Sequence, residues 1–262
     1  MLSWCGRMLN KDFIMPSLGG RLGNNLFMIA NAYARAMDQN RQLVIPLNQV
    51  GHTNDFLDNI FRKLDFFINH PNDVKNNEST VYTGYFQDET CFNKYSEAIK
   101  SLYSPTREFI NRIRTEIPVI FNTEVTVINV RRGDYLIYQN YHPVVSTEYV
   151  MKALELVPSK QYLIASDDIP WCREHLNLPN AIYLEGWKIH EQLWIMAMCH
   201  HFVISNSSFS WWAAYLSRNP SKKVIAPETW FGPEGPKQWK EIYCKDWTIL
   251  PTYFNNGSIL PK

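Results

Sequence analysis

Arg131 and Arg132 stand side by side after a run of β-branched residues and are followed by Gly133 and Asp134. Two adjacent guanidiniums repel each other unless an anion lies between them, and their planar forks match phosphate oxygens. Gly133 lets the backbone turn sharply behind them. The plain alternative is an arginine pair capping a strand end, with Asp134 as its partner. A second charged pair, Asp167 and Asp168, follows Ser166. Its carboxylates suit holding a metal, moving a proton, or accepting two N–H donors from a guanine edge. One of the two also suits the cap of a helix through Trp171. The third group is Ser205-Asn206-Ser207-Ser208-Phe209-Ser210. Hydroxyls and free N–H groups at a helix N-terminus can hold phosphate together with the helix dipole. One serine suffices as an N-cap, so three leave hydroxyls over for a ligand. A fourth stretch, Gly19 to Asn25, carries three glycines. It reads as an anion or sugar-nucleotide turn, or as a tight turn without a ligand. It is not a Walker loop, because no Gly-Lys-Ser/Thr follows. His200 and His201 read as packing or capping residues at a helix C-terminus rather than as ligands.

The elements that carry these groups alternate. Val125, Val127, Ile128 and Val130 have the composition of a short strand buried on both faces, as in a parallel sheet. A helix is expected over Thr147 to Leu156 with Thr147 as cap. Then come a strand over 161–165, a short helix through Trp171 and Leu176, and a strand over 181–184. The helix expected over 190–200 is apolar all round from Leu193 to Cys199, hence buried. A strand over 202–205, a helix opening at the serines and ending near Leu216, and a last strand over 223–226 complete the series. Such alternation predicts a parallel, doubly wound sheet. All three polar groups then lie beyond strand carboxyl ends on one side, where ligands of open α/β sheets sit. The first half is less regular. It offers a strand over 13–18, a helix with Leu26, Ile29, Tyr33 and Met37 at helical spacing, and a strand over 42–47. Residues 51–70 read as helical or irregular, 70–80 as a surface loop, and 81–86 as a strand. A helix over 104–117 would have Ser104 as cap and Pro105 in its first turn. The tail beyond Pro227, rich in Trp and Pro, is expected to fold back across the molecule.

The 262 residues allow one large domain or two small ones, and 45% apolar content is ample for a core. Nine Trp and fourteen Tyr exceed what a core needs, so some would line a cleft for a flat ligand; the alternative is simply an aromatic-rich core. A net charge of +1 excludes bulk electrostatic binding to nucleic acid. Five scattered cysteines, never in a C-x-x-C pair, argue against a disulfide framework and a zinc site. Arg7, Lys11 and Asp12 interrupt the first apolar stretch, which leaves no signal-peptide core, and no run of about 18 apolar residues occurs. A soluble cytoplasmic protein of bacterial or viral type is expected, with room for work at a membrane surface.

Four segments resemble glycosyltransferase family 11, the α-1,2-fucosyltransferases, in that family's order. They are Gly20-Arg21-Leu22-Gly23-Asn24-Asn25-Leu26-Phe27, Asn129 to Tyr135, Ser166-Asp167-Asp168 with Trp171-Cys172, and Ser205 to Ala214. Ala226-Pro227, Trp230-Phe231 and Asp246-Trp247 also fit. The resemblance implies an α/β, GT-B-like fold of two Rossmann-like domains with parallel sheets. The acceptor-side domain would span 1–120, and the donor site would lie in the C-terminal domain, 121–262. It implies inverting transfer of L-fucose from GDP-L-fucose to a glycan hydroxyl, with α-1,2 linkage to galactose expected, without metal or cofactor. By position, Arg131 would meet the pyrophosphate with Arg132 in support, and Asp167 and Asp168 would lie at the nucleotide, Asp168 reading guanine. Asn206, Ser207, Ser208 and the Phe209 backbone would hold phosphate. Gly23 and Asn24 would close the site from the N-terminal domain.

Two positions depart from the family pattern: Asn129 stands where the arginine motif usually begins with His, and Asn25 where Gln is usual. By position Asn129 would keep a polar contact at the donor site, but it lacks the imidazole and with it any proton or stacking role. Some related fucosyltransferases use a glutamate a few residues after the arginine motif. Here the next acid beyond Asp134 is Glu148, which leaves Asp134 as the nearest candidate base, or a dissociative path with little base help. Two alternatives stand beside this expectation: transfer of another deoxyhexose such as L-rhamnose from a nucleotide donor, and a glycan- or nucleotide-binding protein without turnover.

Overall fold

The structure, a computed structural model, describes residues 13–46, 54–64, 67–68 and 81–252. The chain divides between Leu102 and Tyr103 into two compact units. The expected division, between residues 120 and 121, falls later in the chain. The two helices in that interval belong to the second unit.

The first unit contains β1 (Phe13–Pro16), α1 (Leu22–Asp38), β2 (Gln42–Leu43), β3 (Ile45–Pro46), α2 (Asn54–Asp58), β4 (Phe67–Ile68), β5 (Val81–Tyr82) and α3 (Ser96–Leu102). β1 lies between β2 and β5, parallel to both, and β3 pairs parallel with β4. On α1, Leu26 and Ile29 are buried as the periodicity predicts, whereas Met37 is 51% exposed. Alanines 30, 32, 34 and 36 extend the buried face instead, which lets the helix lie close to its sheet. The strand expected over 81–86 stops at Tyr82, because Gly84 and Phe86 take positive φ and break the extended run. The loop expected over 70–80 lies outside the described residues.

The second unit opens with α4 (Arg107–Glu116) and α5 (Val119–Asn122) and continues with β6 (Val125–Val130), α6 (Thr147–Leu156), β7 (Gln161–Ser166), α7 (Ile169–His175) and β8 (Ile182–Tyr183). It closes with α8 (Ile189–Ala197), β9 (His201–Val203), α9 (Ser208–Leu216), β10 (Val224–Pro227) and β11 (Thr248–Leu250). Two caps differ from expectation. Thr106, not Ser104, accepts a hydrogen bond from the Phe109 amide, and Ser146, not Thr147, accepts one from the Tyr149 amide. In each case the capping residue has extended backbone angles and its hydroxyl reaches the amide three residues on.

The six strands run parallel in the order β11-β10-β9-β6-β7-β8. From β6 the chain steps to β7 and β8 on one side, then crosses to β9 on the other. Crossovers in opposite directions put helices on both faces and create a topological switch at β6 and β9. All six residues of β6 are buried. Ile128 and Val130 pack with Tyr149, Val150 and Ala153 of α6 and Cys172 of α7. Helix α8 buries Leu193, Trp194, Ile195 and Met196, as the apolar run predicts. The tail does fold back. Trp230 is 2% exposed, the Trp211 indole donates to the Ile242 carbonyl at 2.6 Å, and β11 adds a sixth strand that the sequence pattern did not announce.

Candidate functional site

The three polar groups sit at the carboxyl ends of β6, β7 and β9, which are neighbours in the sheet. Val130 is in register with Ser166, so Arg131 emerges beside Asp167. The β9 end, Ser205 to Ser208, emerges on the other side of β6, at the switch.

Asn129 sits at the last inward position of β6 and is 7% exposed. Its amide nitrogen donates to the Ala165 carbonyl at 3.1 Å, and its amide oxygen accepts from the Ser205 hydroxyl at 2.7 Å. The side chain is therefore spent on tying β7 and β9 to β6. It supports the site from beneath.

Beyond it, two guanidiniums meet three carboxylates. Arg131 pairs with Asp134 and, at 2.6 Å, with Asp167. Arg132 donates through Nε to Asp168 at 3.0 Å and through its backbone amide to Asp167 at 2.8 Å. Its guanidinium lies 3.8 Å from the Trp171 ring centre, a cation–π contact. The two terminal nitrogens of Arg132 have no partner among the described residues and remain available to an anion. Asp168 is also the N-cap of α7, accepting from the Trp171 amide at 3.2 Å, as one of the pair was expected to be. A Cβ on Gly133 would stand 2.2 Å from the Asp167 carboxylate oxygen, so a larger residue would displace the carboxylate that pairs with Arg131.

At the β9 end Ser207 precedes α9, yet its hydroxyl makes no cap hydrogen bond. Ser210 folds back onto the Ser205 and Ser207 carbonyls, at 3.3 and 3.1 Å. Ser208 and Phe209 form the first turn of α9 and are half-buried. Amides at a helix N-terminus that lack side-chain acceptors attract an anion. Asn206 is buried; its amide nitrogen donates to the Trp230 carbonyl at 2.9 Å, while its amide oxygen has no partner among the described residues. Beneath the loop, the buried Tyr149 hydroxyl lies 2.7 Å from the Ile204 carbonyl and 3.1 Å from that of Ile225.

Two aromatic groups complete the site, and residue-type reasoning did not single them out. Tyr135 lies under Arg131, 5.2 Å from the guanidinium, and donates to the Asn206 carbonyl at 3.2 Å. His142 stacks on Tyr135, with ring centres 4.5 Å apart and planes 8° apart. The available signal was a lone histidine in an aromatic loop shortly after the arginine motif. Burial pushes the His142 pKa down, Asp134 opposes that shift, and Arg131 adds to it. Burial and Arg131 thus favour the neutral imidazole.

Gly23 and Asn24 lie in the first turn of α1 in the first unit, where Asn24 accepts from the Gln87 side chain at 2.9 Å. Among the described residues no cluster of three metal-ligating side chains occurs, and no helix is long and apolar enough to cross a membrane. Cys172 and Cys199 are buried, and burial raises the pKa of both thiols, which keeps them un-ionised.

Residues 20–251 match the family model for Glycosyl transferase family 11. An alpha-1,2-colitosyltransferase from Escherichia coli is 25% identical over 88% of this chain and 99% of its own length. Galactoside alpha-(1,2)-fucosyltransferase 2 from Gorilla gorilla gorilla is 22% identical over 82% of this chain and 76% of its own. Among solved structures, the alpha-1,6-fucosyltransferase NodZ of Bradyrhizobium, in a crystal soaked with GDP-fucose, superposes with a TM-score of 0.53 at 14% identity. The match covers 84% of this chain and 96% of that one. The fold is therefore GT-B-like, with parallel sheets in an α/β arrangement.

Proposed function

The chain belongs to glycosyl transferase family 11, and on that premise we propose that it transfers L-fucose from GDP-L-fucose to a glycan hydroxyl. The linkage we assign is α-1,2 to galactose, formed with inversion and without metal or cofactor. The observation that carries this reading is the convergence of Arg131, Arg132, Asp167, Asp168, Ser207 and Ser208 at three adjacent strand ends. Relatives named for α-1,2 transfer, and a structural neighbour crystallised with GDP-fucose, support it.

The acceptor oxygen attacks the anomeric carbon from the face opposite the leaving GDP. Charge then grows on the pyrophosphate. Arg131, the terminal nitrogens of Arg132, the Ser207 and Ser208 hydroxyls and the Phe209 amide would meet that charge without reorganising. Asp168 accepts a donor on each oxygen in the free chain, so a guanine edge would use the lone pairs left over.

One second reading has a specific observation behind it, namely the E. coli colitosyltransferase that matches most of the chain. Colitose lacks one hydroxyl of fucose, so the same site would accept it. Donor competition separates these readings. With lactose as acceptor, GDP-L-fucose and GDP-colitose are offered alone and together, with dTDP-L-rhamnose as control. Preference for GDP-L-fucose supports the main reading. Preference for GDP-colitose replaces the sugar and keeps the nucleotide, and turnover of the dTDP donor overturns both.

A further inference from the structure

Tyr135 belongs to both halves of the site. It lies in the turn over residues 133–136. Hydrogen bonds from the Leu136 amide to the Arg132 carbonyl at 3.0 Å, and from the Ile137 amide to the Asp134 carbonyl at 3.1 Å, fix that turn against the arginines. The Tyr135 ring centre is 5.2 Å from the Arg131 guanidinium, and its hydroxyl donates to the Asn206 carbonyl at 3.2 Å. That carbonyl shares one planar peptide unit with the Ser207 amide, which donates to the Ser205 carbonyl at 2.7 Å. The plane just before α9 is therefore held at both ends. The Asn206 side chain fastens the same residue to the Trp230 carbonyl at 2.9 Å. The next residue, Phe231, lies 5.6 Å from the His142 ring, which stacks on Tyr135 at 4.5 Å. Tyr135, Asn206, Trp230, Phe231 and His142 thus close a circuit of contacts.

We propose that Tyr135 is a positioning residue, a role that rests on the transferase reading above. It sets the Ser207 and Ser208 hydroxyls relative to Arg131, so that both sides meet the same pyrophosphate. Arg131 is tied towards β7 through Asp167, whereas the serine loop follows β9 on the other side of β6. The Asn129 bond to Ser205 joins the strand ends, and Tyr135 joins the turn and the loop beyond them. Groups aimed at growing charge stabilise it only where they are preorganised, and a shift of about 1 Å in such a group can cost about 100-fold in rate. The phenol itself moves no proton and forms no bond to substrate in this role. It acts through the loop.

The test is Tyr135→Phe, made in wild type and in a Ser207→Ala/Ser208→Ala background. Phe keeps the ring beside Arg131 and His142, so the fold is retained and only the hydroxyl is lost. GDP affinity is read by calorimetry, and kcat is read at saturating concentration of the preferred GDP-sugar. In wild type the expected result is kcat lower by about 3- to 10-fold, the scale of one hydrogen bond. GDP affinity stays within about twofold, because the charge to be met grows only in the transition state. In the double-alanine background the same substitution changes kcat by less than about twofold, since the hydroxyls it positions are gone. A merely structural tyrosine would cost the same in both backgrounds. Equal losses in the two, or wild-type kcat for Tyr135→Phe, overturn the proposal and leave the donor reading standing. Failure of wild type to bind GDP would instead overturn the donor reading, and the role of Tyr135 with it.

Discussion

Asn129 occupies the position from which the arginines are launched, and its amide is spent on a carbonyl of β7 and a hydroxyl beyond β9. Asn129→Leu leaves the buried Ser205 hydroxyl without its acceptor and removes the side-chain bond to the Ala165 carbonyl. The expected cost is about 1–3 kcal/mol, a fall in melting temperature of several degrees for a domain of this size. Thermal unfolding checks it; an unchanged melting temperature would show that the bridge contributes nothing. Residue types alone made Arg131, Arg132, Asp167, Asp168 and the serines visible, because few structural needs explain such pairs at strand ends. They did not show that Asn129 faces inward, since its orientation depends on the register with Ala165 and on where β9 lies. Tyr135 and His142 escaped notice for a similar reason: their role comes from stacking across a loop, which no spacing rule encodes.

At the scale of elements, α6 is more than cover for the sheet. Ser146 fixes its start, and Tyr149, one turn in, sends its hydroxyl to the carbonyl just before Ser205. Helix, strand end and the Ser205 to Ser208 loop are thereby coupled. Tyr149→Phe keeps the ring and removes one buried donor, leaving the Ile204 carbonyl unsatisfied. A loss of about 1–3 kcal/mol is expected, with weaker GDP binding because the Ser205 to Ser208 loop loosens. Denaturant unfolding and calorimetric GDP titration check the two effects, and wild-type values in both would contradict the coupling. The regular strand–helix alternation after residue 125 could be read from hydrophobic runs, since strands buried on both faces must be apolar throughout. The caps were each missed by one or two residues, because neighbouring hydroxyls compete and only backbone angles decide. β11 escaped because its three residues are largely exposed and carry no apolar run. In the first unit the strands are two to four residues long, too short to impose a period.

For the whole molecule, the switch in strand order between β9 and β6 is what turns scattered motifs into one site. Residues far apart in sequence, at 131, 167 and 207, reach the same edge because every strand of the sheet runs parallel. A net charge of +1 supplies no long-range pull on a polyanion, so donor capture must rest on these local groups. Arg131 is the sharpest probe of that claim. It is mostly buried, it links the β6 and β7 ends through Asp167, and the proposed mechanism aims it at the departing pyrophosphate. The most direct measurement is acceptor-dependent release of GDP from GDP-L-fucose by wild type and by Arg131→Ala, side by side. The account predicts release by wild type and a loss of about 100- to 1,000-fold in kcat for the variant, the scale of removing one preorganised donor to a developing oxyanion. Near-normal turnover by Arg131→Ala would contradict it.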